Sequence, residues 1–205
     1  MTESRQQHWQ EVYSTKDEAE VSWFQDRPQT SLDLIAQTGL SPDASLIDIG
    51  GGASRLVDAL LDAGWRDIAV LDIAGAALAR AQARLGPRGA SVDWIVADIT
   101  TWQPRRRYDL WHDRAVFHFL TTAADRVAYK AALRAAVAPG GHVVIGSFAP
   151  DGPERCSGLP VQRYSPESLQ AELGGDFLLQ QALQEDHQTP AGRVQHFQFS
   201  RFRRV

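Results

Sequence analysis

Three aspartates, Asp48, Asp72 and Asp98, each stand at or next to the end of a short apolar run of strand length. Gly50 and Gly52 follow the first aspartate in a glycine-rich turn that leads directly into a predicted helix. Glycine allows a tight turn and lets a ligand approach bare backbone, and a helix N-terminus offers free N–H donors. An acidic side chain at the end of a neighbouring strand can accept hydrogen bonds from both hydroxyls of a ribose. The pattern therefore predicts a binding site for a nucleoside.

The glycine turn lacks the third glycine that a pyrophosphate-binding turn requires. Gly50 and Gly52 fit the first two places of the dinucleotide pattern G-x-G-x-x-G, but Arg55 occupies the third place. A long charged side chain there would obstruct both close helix–strand packing and the pyrophosphate. The phosphate-loop pattern, G-x-x-x-x-G-K followed by Ser or Thr, is absent from the sequence. The turn therefore favours an adenosyl ligand without a pyrophosphate, and an NAD-linked oxidoreductase on a related sheet is the alternative.

The run from Asp48 to Ser54 resembles motif I of the class I S-adenosylmethionine-dependent methyltransferases, whose pattern is Asp/Glu-x-Gly-x-Gly-x-Gly. Asp48, Gly50 and Gly52 match that pattern, and Ser54 replaces its last glycine. The resemblance extends from about residue 32 to the C-terminus and includes the turn Pro139–Gly141 before the fifth predicted strand. It implies an enzyme with S-adenosylmethionine (SAM) as cofactor and S-adenosylhomocysteine as product. A non-catalytic SAM-binding module is a further alternative.

The resemblance also assigns cofactor contacts to individual residues. Asp72 matches the ribose-binding acid of the family, and Asp98 matches the acid at the adenine edge, where Ile99 could pack on the ring. The complete set of predicted cofactor-binding residues is Trp9, Tyr13, Trp23, Asp48, Gly50, Gly52, Asp72, Ile73, Asp98 and Ile99.

The fourth predicted strand ends in polar side chains, among them His112 and Asp113. The resemblance implies that the methyl group lies near this strand end. A histidine, with an ordinary pKa of about 6.5, is a natural base at neutral pH. We predict that His112 and Asp113 orient or deprotonate the methyl acceptor, and structural roles for both are the alternative.

Aromatic side chains are concentrated in the polar N-terminal segment, residues 1–28. Trp9 and Tyr13 are four positions apart and share a face if the segment is helical, and Trp23 follows them. Aromatic faces attract a sulfonium cation by about 0.5–2 kcal/mol each, and packing is the competing role. The segment resembles the aromatic lids of thiopurine-type methyltransferases and of lysine methyltransferases that act on elongation factors and citrate synthase. It is therefore predicted to be a lid over a small-molecule or protein-lysine methyl acceptor.

Apolar runs of strand length alternate with helical patterns along the chain, which is typical of β-α-β units. The last two predicted strands are joined by a short turn, and such strands pair antiparallel. We predict a single α/β domain over residues 1–205, with a doubly wound Rossmann-like sheet of seven strands, mostly parallel, that closes in an antiparallel C-terminal hairpin. The predicted strands are Ser45–Ile49, Ile68–Leu71, Val92–Val96, Tyr108–His112, His142–Phe148, Phe177–Glu185 and Val194–Phe202. The predicted helices are Thr30–Thr38, Arg55–Ala63, Ala74–Leu85, Ala123–Val137 and one from Ser165 to Leu173.

Composition and charge restrict the other classes of function. The 205 residues are 43% hydrophobic, which is sufficient for the core of one domain. The net charge of −4 gives no general attraction to nucleic acid, and no apolar run is long enough to cross a membrane. Residues 1–16 lack the apolar core of a signal peptide. The single cysteine, Cys156, favours a cytoplasmic protein without a thiolate metal site, and its loop is expected over the substrate side.

Overall fold

The chain is built around one seven-stranded sheet in a computed structural model that describes residues 4–15 and 20–205. The predicted lid is therefore described only in part, because residues 1–3 and 16–19 lie outside the described residues. The strands, in chain order, are β1 (Ser45–Ile49), β2 (Asp67–Asp72), β3 (Val92–Val96), β4 (Tyr108–Arg114), β5 (Val137–Phe148), β6 (Arg155–Cys156), β7 (Leu159–Pro160), β8 (Phe177–Gln188) and β9 (Val194–Arg204).

Helices precede or connect most of these strands. They are α1 (Arg5–Thr15), α2 (Gln29–Ala36), α3 (Leu56–Asp62), α4 (Gly75–Leu85), α5 (Ala123–Ala136) and α6 (Pro166–Leu173). Two 3₁₀ turns, Gly86–Ser91 and Phe117–Phe119, follow α4 and β4. Among the described residues, no helix has both the length and the apolar character needed to cross a membrane.

The main sheet has the strand order β3-β2-β1-β4-β5-β9-β8. Strands β1 to β5 pair in parallel, and β9 pairs antiparallel with both β5 and β8. This arrangement confirms the predicted doubly wound sheet with a closing hairpin. Because the chain order reverses between β1 and β4, the carboxyl ends of these two strands form the crevice in which open α/β sheets bind ligands.

Apolar side chains cover both faces of the sheet, as a buried parallel sheet requires. Trp111 of β4 packs on one face with Tyr129 of α5, and both are fully buried. Leu110, its neighbour in the strand, packs on the opposite face with Leu34 of α2 and Val144 of β5. Because successive side chains of β4 point to opposite faces of the sheet, this alternation fixes the face to which each of the following polar side chains points.

The turn predicted at Pro139–Gly141 does not separate α5 from β5, so the predicted strand start at His142 is wrong. Val137 pairs with Tyr108 directly after the helix, and the regular pairing resumes between Leu110 and His142. The Pro-Gly-Gly run is therefore an irregularity inside β5. Its middle residue has φ of +73°, a conformation that favours glycine.

The predicted loop Ala149–Val161 contains a small hairpin, β6–β7, that forms a second sheet. Cys156 pairs with Leu159 across a two-residue turn. The turn residues Ser157 and Gly158 both have positive φ, +49° and +80°. Two-residue hairpin turns of this kind require positive φ at both positions, so the Ser-Gly dipeptide was the available signal.

Candidate functional site

Two adjoining cavities open at the carboxyl ends of β1, β2 and β4. The larger cavity has a volume of about 800 Å³, solvent at its mouth included, and the smaller has about 550 Å³. Both lie in the size range of small-ligand sites. The predicted residues that line the larger cavity are Trp9, Tyr13, Trp23, Gly50, Asp72, Ile73, Asp98 and Ile99. Asp48 and His112 line the smaller cavity, whereas Gly52 and Asp113 line neither.

The glycine turn after β1 packs directly against two of the predicted acids. A Cβ atom on Gly52 would lie 2.5 Å from the Oδ2 atom of Asp72, and one on Gly51 would overlap the carboxylate of Asp48. Gly50 has φ of +67°, and a Cβ atom there would overlap the side chain of Val116. Glycine is therefore needed in this turn because acidic side chains occupy the space beside Gly51 and Gly52, and Val116 occupies the space beside Gly50.

Asp72 ends β2 on the wall of the larger cavity and is 5% exposed. Its Oδ1 atom accepts a hydrogen bond of 2.8 Å from the backbone N–H of Ala74. Burial raises the pKa of Asp72 to about 7, and repulsion from Asp48 adds to the increase, although backbone N–H groups oppose it. A carboxylate with so little solvation is stabilised by a ligand that donates hydrogen bonds to it, such as the two hydroxyls of a ribose.

Asp48 is fixed by a buried chain of hydrogen bonds. His112 lies opposite Asp48 in the β1–β4 register, and its Nδ1 atom is 2.7 Å from the Oδ1 atom of Asp48. The Nε2 atom of His112 is 2.9 Å from the hydroxyl of Ser31, in α2. All three side chains are buried. Because both ring nitrogens of His112 have partners, the ring is placed to orient the carboxylate of Asp48.

The carboxylate of Asp113 points into the core on the other face of the sheet and is fully buried. Its Oδ2 atom accepts a 2.6 Å hydrogen bond from the hydroxyl of Tyr129, which in turn accepts one of 2.9 Å from the indole N–H of Trp111. Its Oδ1 atom accepts one of 2.9 Å from the backbone N–H of Val116. Burial raises the pKa of Asp113 to about 6, and these donors oppose the increase. The position thus favours the structural alternative for Asp113 over direct contact with a ligand in the cavity.

Removing the Tyr129 hydroxyl tests this structural role. In Tyr129→Phe, the buried N–H of Trp111 loses its acceptor, and the Oδ2 atom of Asp113 keeps only the backbone N–H of Phe117. The free energy of unfolding should therefore fall by about 1–3 kcal/mol. Urea denaturation measures the change. Tyr164→Phe is the matched control, since the buried Tyr164 hydroxyl has no hydrogen-bond partner within the described ranges. Equal stability of the two variants would show that the Asp113 network contributes nothing.

The aromatic side chains of the N-terminal segment form one cluster over the larger cavity. The ring centroid of Trp9 lies 5.6 Å from that of Trp23 and 5.0 Å from that of Phe119, which follows β4. Tyr13 completes the cluster at 6.1 Å from Trp23. The side chain of Gln10 accepts a hydrogen bond from the backbone N–H of Ala76 in the first turn of α4, which attaches α1 to the domain. These aromatics pack against each other and also face the cavity.

Asp98 lies at the far end of the larger cavity, with its side chain 30% exposed. Its Oδ1 atom accepts hydrogen bonds from the backbone N–H and the hydroxyl of Thr100, at 2.9 and 2.7 Å. Arg5 of α1 stands 3.7 Å from the same oxygen and also binds Asp125 at 2.8 Å. Arg5 therefore connects the N-terminal helix to this end of the cavity.

The part of the larger cavity beside β5 and β9 was not predicted in detail. Burial raises the pKa of the Cys156 thiol in its wall to about 11, so the thiol is neutral. Arg114 could have been predicted to line the cavity, because it stands at the end of β4. The residues of β9 could not, because only the closing hairpin brings them to the cavity. The cavity-lining residues not predicted include Arg5, Arg114, Phe119, Phe148, Gln195 and Phe197.

Comparison with known proteins finds similarity to methyltransferases and to a nodulation protein. Residues 46–141 match a family model described as a methyltransferase domain. Nodulation protein S of Rhizobium tropici is 29% identical over 115 residues, which cover 56% of this chain and 47% of that protein. The match therefore spans about half the length of this curated relative.

Solved structures match over nearly the whole chain. The N-methyltransferase NodS from Bradyrhizobium japonicum WM9, in complex with S-adenosylhomocysteine, has a TM-score of 0.73 at 20% identity, covering 98% of this chain and 99% of that one. A protein studied for the conversion of a disulfide bond into a thioacetal group during echinomycin biosynthesis has a TM-score of 0.76 at 20% identity, covering 96% and 91%. At these identities the likeness shows a common fold.

Proposed function

We propose that this chain, whose residues 46–141 match a methyltransferase domain, binds SAM in the larger cavity and transfers its methyl group to a nitrogen atom of a small molecule. One observation carries the proposal. The buried carboxylate of Asp72, the glycine turn beneath it and the carboxylate of Asp98 meet at a single cavity at the switch point of the sheet.

The three acids at the two cavities each have a complementary group on SAM. We assign the ribose hydroxyls to Asp72 and the adenine edge to Asp98, with Ile99 against the ring. Asp48, held by His112, is assigned to the ammonium group of the methionine part at the smaller cavity. When bound, SAM supplies an electrophilic methyl group on a sulfonium. The chemistry needs a nucleophile that is aligned with this group and shielded from water.

The residues at this cavity support catalysis by positioning the acceptor and by excluding water. His112 and Asp113, the residues predicted to contact the acceptor, both engage their polar atoms with partners inside the protein. His118 is buried as well, and burial lowers its pKa to about 3, which keeps it neutral. We therefore propose that His112 and Asp113 are positioning residues, and that a neutral amine attacks and then loses its proton to water.

The choice of nitrogen and of a small molecule has separate support. A nitrogen acceptor is supported by NodS, which is named an N-methyltransferase. A small molecule is favoured over a protein lysine because the cavity is covered by the aromatic cluster and contains the buried cation of Arg114. That charge repels the ammonium form of an approaching lysine.

Titration with S-adenosylhomocysteine, with NADH as the control ligand, tests the proposal directly. We expect the purified protein to bind S-adenosylhomocysteine and to show no measurable heat with NADH in calorimetry. Binding of NADH alone would favour the NAD-linked oxidoreductase. Binding of neither would contradict a nucleoside site in this cavity. Formation of S-adenosylhomocysteine from SAM with a panel of amines would then distinguish an enzyme from a non-catalytic binding module.

A further inference from the structure

We infer that the larger cavity contains a carboxylate-binding subsite at Arg114, which holds a planar, apolar methyl acceptor by its carboxylate. The inference rests on the proposed function, because it concerns the acceptor that shares the cavity with SAM. It defines the chemical class of that acceptor: an aromatic or similarly flat amine that carries a carboxylate.

The guanidinium of Arg114 is buried with two of its donor atoms unused. Its Nη1 atom donates a 2.9 Å hydrogen bond to the backbone carbonyl of Trp23. Its Nε and Nη2 atoms are inaccessible to solvent and have no hydrogen-bond partner in the part of the chain that the structure describes. Only 11% of the side chain is exposed. Buried donors without acceptors are costly and rare in proteins, and a binding site is one of the reasons for which they persist.

The carboxylate nearest to Arg114 does not fill these positions. The Oε1 atom of Glu185 is 3.9 Å from the Nη2 atom, which is too far for a hydrogen bond. The same oxygen accepts a hydrogen bond of 3.0 Å from the side chain of Gln25. Glu185 therefore offsets part of the charge of Arg114 while leaving the Nε and Nη2 donors free.

The guanidinium of Arg114 packs on the side of the larger cavity that the closing hairpin forms. The acids Asp48 and Asp72 lie on β1 and β2, on one side of β4. The guanidinium of Arg114 instead stacks over the ring of Phe197, 4.8 Å from its centroid. Phe197 belongs to β9, which lies beyond β5 on the other side of β4. The guanidinium thus packs against the hairpin, while Arg114 also lines the smaller cavity beside Asp48.

The free donors are matched to a single carboxylate. Nε and Nη2 lie on one edge of the planar guanidinium, and two parallel N–H donors on one edge bind both oxygens of a carboxylate. Because both atoms are buried, the side chains that cover them must shift when the carboxylate enters. The nearby charge of Glu185 disfavours a dianion such as a phosphate monoester at the same place. The charge of Glu185 therefore favours an anion with one negative charge over a dianion.

The walls around Arg114 indicate the rest of the acceptor. Phe119, Phe148 and Phe197 line this part of the cavity, and they favour a flat apolar group. Gln195 lines it as well, and its buried Oε1 atom has no hydrogen-bond partner among residues 4–15 and 20–205. An amide oxygen accepts hydrogen bonds, so it would bind an N–H group of the acceptor. Together, these groups fit an aromatic amino acid of the anthranilate type.

Matched acids and amides provide the probes for a test. The protein is first saturated with S-adenosylhomocysteine and then titrated with anthranilate, benzoate, anthranilamide and benzamide. We expect each acid to bind at least about tenfold more tightly than its amide, because the amide cannot accept two charge-assisted hydrogen bonds. The acids should also raise the melting temperature of the saturated protein, whereas the amides should not.

Two variants of Arg114 test whether the preference for acids over amides arises from its guanidinium. Arg114→Gln should abolish the discrimination between acid and amide, and Arg114→Lys should retain a part of it by charge alone. Both should bind S-adenosylhomocysteine within about twofold of the wild type. Arg66→Gln removes a mostly exposed guanidinium that pairs with Asp43, and it should change nothing. The variants' affinity for S-adenosylhomocysteine also verifies that they are folded.

The outcomes separate this inference from the proposed function. No discrimination between acids and amides in the wild type, or no binding of either acid at millimolar concentration, would overturn the subsite. A loss of affinity for S-adenosylhomocysteine in Arg114→Gln would also overturn it, because the guanidinium would then hold the carboxylate of the cofactor itself. Failure of the wild type to bind S-adenosylhomocysteine would instead refute the proposed function.

Discussion

Asp72→Asn should reduce the affinity for S-adenosylhomocysteine by at least about 100-fold while the protein remains folded. The two hydroxyls of a ribose each donate a hydrogen bond to a carboxylate, and each such bond to a charged acceptor contributes about 1.5–3 kcal/mol. Asparagine offers one acceptor and two donors in the same volume, so at least one of the two bonds is lost. Calorimetric titration measures the affinity, and a cooperative thermal transition verifies the fold.

Asp98→Asn is the comparison variant for this experiment, because Asp98 is the more exposed of the two acids. Its side chain is 30% exposed, and one of its oxygens is already bonded to Thr100. We expect its loss of affinity to stay near tenfold, since water competes for its remaining oxygen. Equal losses in the two variants would contradict the assignment of the ribose to Asp72.

The pKa of Asp72 adds a pH dependence with a definite direction. Burial raises this pKa from 3.8 to about 7, so the carboxylate proposed to accept the two hydroxyls is fully formed only above that pH. Affinity for S-adenosylhomocysteine should rise about tenfold per pH unit up to about pH 7 and then level off. Asp72→Asn should be flat over the same range, and a wild-type affinity that does not change with pH would contradict this dependence.

The same pKa has the opposite consequence for the stability of the unliganded protein. The folded state holds the proton of Asp72 more tightly than the unfolded state, whose aspartate has the ordinary pKa of 3.8. This contribution is complete below about pH 4 and is lost as the pH rises through about 7. Binding and stability therefore vary with pH in opposite directions, and urea denaturation of the unliganded protein at several pH values measures the second.

The positions of the acids and glycines at this cavity were predictable because they depend on local sequence. Each acid follows a strand in the chain, and parallel strands bring their carboxyl ends to one edge of the sheet. The hairpin that closes the sheet was predictable for the same reason, since a short connection permits only antiparallel pairing. The two-residue turn at Ser157 had an equally local signal, which the prediction of a loop did not use.

The roles of the residues at the end of β4 were not predictable in this way. Whether His112 or Asp113 reaches a ligand depends on partners far along the chain, and these partners are Ser31 and Tyr129. The sequence showed two polar side chains at a strand end and left catalytic and structural roles open. The free donors of Arg114 are likewise visible only once the hairpin covers them.

Gly52→Ala should weaken the binding of S-adenosylhomocysteine by about 100-fold through a single methyl group. The new Cβ atom would lie 2.5 Å from the Oδ2 atom of Asp72 and 2.9 Å from the Cβ atom of Ala77. Ala77 is buried in α4 and its Cβ atom cannot rotate away, so the carboxylate of Asp72 must shift, which disturbs the hydrogen bond between its Oδ1 atom and the N–H of Ala74. Overpacking of this kind costs about 1–3 kcal/mol of stability as well.

Gly64→Ala is the control that separates backbone strain from the effect on Asp72. Gly64 follows α3 with φ of +86°, and a Cβ atom there would meet no other atom within 4 Å. Alanine in this conformation costs about 1–2 kcal/mol of stability. We therefore expect both variants to be destabilised in urea, Gly52→Ala by more, because it adds overpacking to a positive φ of +25°. Only Gly52→Ala should lose affinity for S-adenosylhomocysteine. If Gly64→Ala lost the same affinity, general destabilisation would explain both results, and the glycine turn would have no specific role in holding Asp72 against the ribose.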